Sequence, residues 1–136
     1  MPLQLAIVTP ERPVADLEVD SVVLPGAEGE FGVLPGHEAL LAPVQSGVVR
    51  YRAGSAGGAE ERLAVSGGFA EVSQDRVTLL ARTAEPASEI DRGRAERALG
   101  RAEQGLRDAG AQAPPDDLAL LRAAVARATA RLGALQ

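Results

Sequence analysis

The chain has no cysteine and no tryptophan, and only one histidine, one tyrosine and two phenylalanines in 136 residues. It also has no lysine: all of its positive side chains are arginines. Each absence removes a class of chemistry. Without cysteine there is no disulfide framework and no thiolate metal site, and the redox compartment is left open. Without lysine a phosphate-binding P-loop cannot be built. A lone histidine, His37, cannot supply a zinc site of the usual ligand set. A Ser-His-Asp triad would have to draw that histidine from a turn-rich loop, and Ser66, in Val65-Ser66-Gly67-Gly68, does not sit in a Gly-x-Ser-x-Gly elbow. His37 therefore reads as a turn or interface residue, and no catalytic set emerges. Hydrophobic residues make up 46% of the chain but aromatics only 2%, so any core must be built from Val, Leu, Ile and Ala. The net charge of −5 argues against a nucleic-acid partner, which would need a basic face. No apolar run approaches the ~20 residues that span a bilayer, and the segment Met1 to Leu5 lacks the regions of a signal peptide. A soluble, cytoplasmic protein is expected, meeting a membrane only through a partner.

What is present divides near Glu85-Pro86-Ala87-Ser88. Before that point short β-rich runs alternate with turn residues: Leu3–Val8, Leu17–Leu24, Val48–Tyr51, Leu63–Val65 and Val77–Leu80. Gly54-Ser55-Ala56-Gly57-Gly58 and Ser73-Gln74-Asp75-Arg76 have the composition of hairpin connections. Between Pro25 and Leu41 lie two Pro-Gly turns, further glycines and His37, where proline sets φ at one turn corner and glycine accepts positive φ at the next. Gly26, Gly29 and Gly32 match no phosphate fingerprint and read as turn glycines. Closely spaced short strands of this kind predict an all-β sandwich, here over residues 1–85.

Over residues 86–136 the period becomes helical. Ser88 followed by Asp91 resembles a capping box with Asp for Glu, which places the start of a first helix there. Its apolar stripe is Ala95, Leu99, Ala102, Leu106 and Ala109, and Gly110 with Pro114-Pro115 stops it. A second helix begins near Asp116-Asp117, whose charges suit a helix N-terminus. Its stripe, Leu118, Leu121, Val125, Ala128, Leu132 and Leu135, is an unbroken heptad seam. The short connection predicts an antiparallel αα-hairpin. That hairpin is marginal by composition: the first helix offers mostly alanine, and Gly93, Gly100 and Gly105 each cost it about 1 kcal/mol against Ala while permitting close approach. A weakly docked, reorientable hairpin and a permanently docked cover both satisfy these facts.

Antiparallel packing about a turn near Gln112–Ala113 pairs residue i with roughly residue 225 − i. Arg94 then lies level with Arg131, with Arg127 one turn away on the second helix and Ile90 and Asp91 at the same end. Three guanidiniums, with Asp91 the nearest opposite charge, repel one another unless an anion joins them. Arginine forks suit phosphate oxygens, and the helix N-terminus adds positive potential. On spacing alone the plainer reading is an ordinary solvated face of Arg94, Arg127 and Arg131, with Asp91 and Arg94 a weak i, i+3 pair.

Together these segments resemble the ε subunit of bacterial F-type ATP synthase over essentially the whole chain. Gly26-Ala27-Glu28-Gly29-Glu30-Phe31-Gly32-Val33-Leu34-Pro35-Gly36-His37 looks like that family's most recognisable segment, continued by Leu40-Leu41, Gly47 and Arg50. Ser66–Val72 and Val77–Ala81 are similarly close; Ala39 stands where many members have proline. The resemblance implies a non-catalytic central-stalk subunit that couples c-ring rotation to the catalytic hexamer. It would be peripheral, on the cytoplasmic face of the membrane. Its implied partners are subunit γ, the c-ring of the proton-translocating sector and, when the hairpin extends, the α/β hexamer, where the helices inhibit ATP hydrolysis. It implies that Glu30, Phe31 and His37 belong to the rotor interface with the c-ring and γ. Some members bind ATP through Ile/Leu-Asp-x-x-Arg-Ala, matched here by Ile90-Asp91-Arg92-Gly93-Arg94-Ala95, with paired arginines matched by Arg127 and Arg131 and a further residue matched by Glu85. ATP is thus an expected regulatory ligand at Glu85, Ile90, Asp91, Arg94, Ala95, Arg127 and Arg131, and no cofactor is required. The other readings are a stand-alone nucleotide-sensing module and a purely structural adaptor.

Overall fold

The computed structural model describes residues 2–53 and 58–136. Ten strands precede two helices: β1 (Leu3–Val8), β2 (Pro13–Val19), β3 (Ser21–Gly26), β4 (Gly29–Val33), β5 (Leu40–Val44), β6 (Gly47–Arg52), β7 (Glu60–Val65), β8 (Gly68–Ser73), β9 (Arg76–Ala81), β10 (Ala84–Pro86), α1 (Arg92–Ala109) and α2 (Pro115–Ala134). The strands form one sheet in the order β10-β7-β6-β3-β5-β8-β9-β1-β2, with β4 paired to β3. Between β3 and β5 the ladder holds a single pair, Gly26 with Val44. The sheet folds over at this corner into a sandwich. All neighbours run antiparallel except β1 and β9.

Strand alternation explains the core. Leu3, Leu5, Ile7, Val22, Leu24, Val49, Val72, Val77 and Leu79 point between the layers and are at most 1% exposed. Branched aliphatic side chains fill the space that aromatics would take elsewhere, and fully burying each is worth about 1.5–3 kcal/mol. The run Leu17–Leu24, read from sequence as one strand, is two. It breaks at Asp20, whose backbone N–H donates to the Arg52 carbonyl at 2.8 Å. The segment from Pro25 to Leu41 is less irregular than its composition implies. A two-residue turn at Ala27-Glu28 returns the chain as β4, with Gly26 opposite Gly29. The Ser73–Arg76 connection is a two-residue hairpin: Gln74 and Asp75 have φ of 52° and 59°, as a type I′ turn requires. Asp75 does more than turn the chain, because its Oδ1 accepts the Gly36 N–H at 2.6 Å and ties the second Pro-Gly turn to this hairpin. The connection expected at Gly54–Gly58 lies, apart from Gly58, outside the described residues.

The helical hairpin is present as expected, with corrections at its start and in its packing. Ser88 belongs to a single 3-10 turn, Ala87–Glu89, and not to the α1 cap. Asp91 is the N-cap, its Oδ1 accepting the Arg94 N–H at 3.0 Å. Gly110, with φ of 68°, ends α1 in the left-handed conformation that glycine adopts freely. Pro115 opens α2, where its missing N–H costs nothing. The facing register agrees with the approximate one expected: a Cβ on Gly105 would stand 2.8 Å from Leu121 Cδ2. Of the first stripe only Ala95 and Ala102 are buried, and of the second only Ala128. The leucines of both stripes are half-buried, because a two-helix layer leaves its seam open along one side. The sequence reading also lacked a second contact face on α2. Ala130 and Ala134 are buried against Ala64 of β7, with Val48 of β6, Ala87 and Ile90 around them. Gly133 lets α2 approach, since a Cβ there would lie 3.2 Å from Val48 Cγ2. Thus α2 docks the hairpin on the outer face of β6 and β7, and α1 rides on α2.

Candidate functional site

The segment that leaves the sandwich through β10 and the 3-10 turn brings Glu85, Glu89 and Ile90 under the open end of the hairpin. There they meet α1 and the last turns of α2. A cleft of about 230 Å³ results, lined by Glu85, Glu89, Ile90, Asp91, Arg94, Ala95, Ala98, Arg101 and Arg131. Six of the seven residues expected for a nucleotide share this cleft. The seventh, Arg127, lies one turn back along α2 in an adjoining crevice with Ser66, Thr83, Glu85 and Arg131.

The charges are arranged differently from the sequence reading. The acid that meets the helix-two arginines is Glu85, whose Oε1 accepts from Arg131 Nε at 2.7 Å. Asp91 instead occupies the N-terminus of α1 as its cap, so this end of the helix already faces a carboxylate. Glu89 reaches outward to Arg12 at 3.5 Å. Among the described residues, the guanidiniums of Arg94, Arg101 and Arg127 form no ion pair or hydrogen bond. Three uncommitted forks, two in the cleft and one in the adjoining crevice, beside one committed fork have the chemistry that suits oxyanions. Arg101 was missed from sequence. Its signal was available: it follows Arg94 by two helical turns and therefore shares its face.

The residues expected at the rotor interface do not share one environment. Phe31 is half-buried and packs on the sandwich core, its ring lying where a Cβ on Gly26 would be. Glu30, on the opposite side of β4, pairs with Arg50 at 3.2 Å, and a chain of contacts continues to Glu60 and Arg62. His37 is exposed on the loop after β4, where its Nδ1 lies 2.7 Å from the Glu38 carbonyl. Strand register reveals a more extensive surface. Pro43, Phe69, Leu80 and Val8 sit opposite one another across β5, β8, β9 and β1. Phe69 is 54% exposed, Leu80 56% and nearby Leu41 68%. Aromatic and aliphatic side chains thus align across four strands on a solvent-facing surface, a feature common at protein–protein contacts. The stripe lies on the outer face of the layer that does not carry the hairpin.

A β-sandwich joined to a two-helix hairpin defines a two-part class of chain. The comparisons make the class specific. A family model described as "ATP synthase, Delta/Epsilon chain, beta-sandwich domain" matches residues 2–87. A second, "ATP synthase, Delta/Epsilon chain, long alpha-helix domain", matches residues 88–136. The chain belongs to the ATP synthase delta/epsilon chain family. It is 49% identical over 132 residues to the ATP synthase epsilon chain of Herpetosiphon aurantiacus, covering 97% of this chain and 93% of the relative. It is equally identical to that of Moorella thermoacetica, with 97% and 95% covered. A chain of the Euglena gracilis mitochondrial ATP synthase assembly of OSCP, F1 and c-ring superposes with a TM-score of 0.83 at 23% identity, covering 99% of this chain and 82% of that one. A chain of the Tetrahymena thermophila mitochondrial central stalk and c-ring gives 0.64 at 13% identity. Both are likenesses of fold. No helix among the described residues is long and apolar enough to cross a membrane.

Proposed function

We propose that the chain is a non-catalytic central-stalk subunit of an F-type ATP synthase, and that its hairpin is a regulatory arm whose docked position is stabilised by ATP. In this reading the sandwich sits beside γ and on the polar loops of the c-ring, at the cytoplasmic face of the membrane. The released hairpin extends along γ toward the α/β hexamer and restrains ATP hydrolysis. The observation that carries the regulatory half is the cluster of Arg94, Arg101 and Arg127 beside Arg131. Four guanidiniums drawn from both helices would hold the phosphates, and Glu85, Glu89 and Ile90 close the cleft from the sandwich side, so a nucleotide that spans it would bind the docked position of the arm. The apolar stripe through Phe69 and Leu80 supports packing of the sandwich on γ. A free-standing sensor would have no use for it.

Magnitudes fit a biased switch. The α2 docking contact rests mainly on three small buried residues, Ala64, Ala130 and Ala134. At ~0.8 kcal/mol per methyl-sized group this contact is worth about 2–3 kcal/mol. ATP at a hundred times its dissociation constant would add about 2.7 kcal/mol to the docked state, doubling its hold. Driving the arm from one extreme population to the other requires about 5.5 kcal/mol, so contacts with γ or torque complete the transition. Calorimetric titration of the protein with ATP tests the reading, with Arg127→Ala as the control. Binding that disappears in the variant is expected. No binding up to millimolar ATP would reduce the arginines to a solvated face and leave the arm to γ and torque alone.

A further inference from the structure

The second Pro-Gly turn stands alone on the surface. Residues 34–40 are all exposed. The segment crosses from β4, paired to β3, to β5, paired to β8, without a ladder of its own. Leu34, Pro35, Gly36 and His37 form a turn with proline and then glycine at its corners. The Leu34 carbonyl accepts the His37 N–H at 3.1 Å, and Gly36 has φ of 85°. That closing bond leaves the Gly36 N–H without a partner inside the turn. Asp75 supplies one from 39 residues away, its Oδ1 accepting at 2.6 Å. Among the described residues, and outside the strand ladders, no other hydrogen bond ties residues 34–39 to the rest of the chain. The anchor is itself fixed, because the Asp75 carbonyl accepts the Gln4 N–H of β1 at 2.9 Å.

Aspartate is not the residue that its own hairpin favours most. At φ of 59° Asp75 holds the second corner of a type I′ turn, where glycine is the unstrained residue. Glycine would close β8 onto β9 with less strain, so the contribution of the carboxylate lies at Gly36. We propose that Asp75 is a positioning residue for the rotor contact: it holds the Leu34–His37 turn in one conformation before the partner arrives. His37 and Leu34, the latter 62% exposed, are then presented preformed. This rests on the coupling reading above, which sets His37 against the c-ring, and adds the residue that fixes its presentation. A loop that must be ordered on contact binds more weakly, in proportion to the time it spends out of the competent shape. A residue needed only for the β8–β9 turn would be improved by glycine, whereas a positioning residue would be lost.

The test uses the full chain and two variants. Asp75→Gly removes the acceptor and relieves the hairpin. Asp75→Asn keeps an oxygen acceptor on a residue that tolerates positive φ. Three quantities are read: exchange of the Gly36 amide by nuclear magnetic resonance, the denaturation midpoint, and affinity for the rotor, prepared as γ and c-ring of the same synthase stripped of this chain. In Asp75→Gly the Gly36 amide should exchange faster, and rotor affinity should fall about three- to ten-fold. That is the loss for a turn that stays competent roughly a tenth to a third of the time. The midpoint should stay close to that of the unaltered chain, because relief of strain offsets the lost bond. Asp75→Asn should restore most of the protection and most of the affinity. Unchanged affinity in Asp75→Gly, with a fast Gly36 amide, would show that the rotor needs no preformed turn and would overturn the assignment. Equal weakening in both variants, with Gly36 still protected in Asp75→Asn, would make the charge a direct contact and overturn it as well. A midpoint that fell in step with affinity would reduce Asp75 to a part of the fold. If the unaltered chain does not bind the rotor, the coupling reading falls, and the assignment falls with it.

Discussion

The sandwich and the hairpin are built from different materials. The sandwich core is mainly Leu, Ile and Val, which fill fourteen of the seventeen buried positions in one continuous cluster. In the hairpin every fully buried residue is an alanine: Ala95, Ala102, Ala128, Ala130 and Ala134. A buried leucine contributes several times the apolar surface of an alanine, and its contacts are interlocked across two layers. The first region is therefore a platform with one well-determined structure. The second is an arm whose helices form readily but whose position rests on a few small contacts and an ion pair. Chain length divides unevenly between them, and so does stability.

The largest expected effect is in the platform. Leu5→Ala, at a position fully buried between the layers, should destabilise the protein by about 2–5 kcal/mol. Leu106→Ala, at a half-buried position on the hairpin seam, should cost less than half of that. Denaturant melts followed by Tyr51 emission give the first value directly, since the only tyrosine lies on β6. Equal losses at both sites would mean that platform and arm unfold as one cooperative unit, and the contrast drawn here would be wrong.

The next effect separates the two regions without unfolding either. Ala130→Asp places a carboxylate against Ala64 in the docking contact. An unpaired buried charge costs more than the 2–3 kcal/mol that the contact supplies, so α2 should leave the sheet. The expected outcome is an undocked majority, read as the distance between labels on cysteines placed at the exposed Glu61 of β7 and Ala119 of α2, with the Tyr51 melt unchanged. A lowered melting midpoint would show that the arm is a structural part of the platform, as the adaptor reading holds.

Sequence alone revealed the platform unevenly. Runs such as Leu3–Val8 and Val77–Leu80 were legible because β-branched and leucine residues alternate within them. Strands β4, β5, β8 and β10 were not, since each carries glycine or proline, which propensity assigns to turns. Tertiary pairing overrides that preference at Gly68: its φ is 145°, and a Cβ there would overlap the Leu80 carbonyl. Only glycine lets β8 reach β9. The helices were legible from their period, yet the face that docks was not, because Ala130 and Ala134 carry too little hydrophobic contrast to stand out beside leucines. In the cleft, Arg127 and Arg131 were visible as a one-turn pair. The bond from Glu85 was invisible to periodicity, since it joins an extended segment to a helix 46 residues away.

The smallest expected effect sharpens the comparison inside the arm. Composition alone makes Gly93, Gly100 and Gly105 three equal weaknesses of α1, but the structure makes Gly100 and Gly105 unlike each other. A Cβ at Gly100 meets nothing within 4 Å, so Gly100→Ala should stabilise the helix by the full propensity difference of about 0.8–1 kcal/mol. At Gly105 the same methyl would stand 2.8 Å from Leu121 Cδ2. The intrinsic gain is the same, but crowding costs about 1–3 kcal/mol where the neighbour cannot yield, so Gly105→Ala should be neutral or destabilising. Thermal loss of far-ultraviolet circular dichroism, compared between the two variants, gives the difference. A gap of about 1 kcal/mol or more would show that the α1–α2 seam is a fitted surface and that the arm moves as one rigid hairpin. Equal stabilisation would show that Leu121 simply rotates away. The arm would then be loose within itself as well as on the sheet, and the release of α2 need not carry α1 with it.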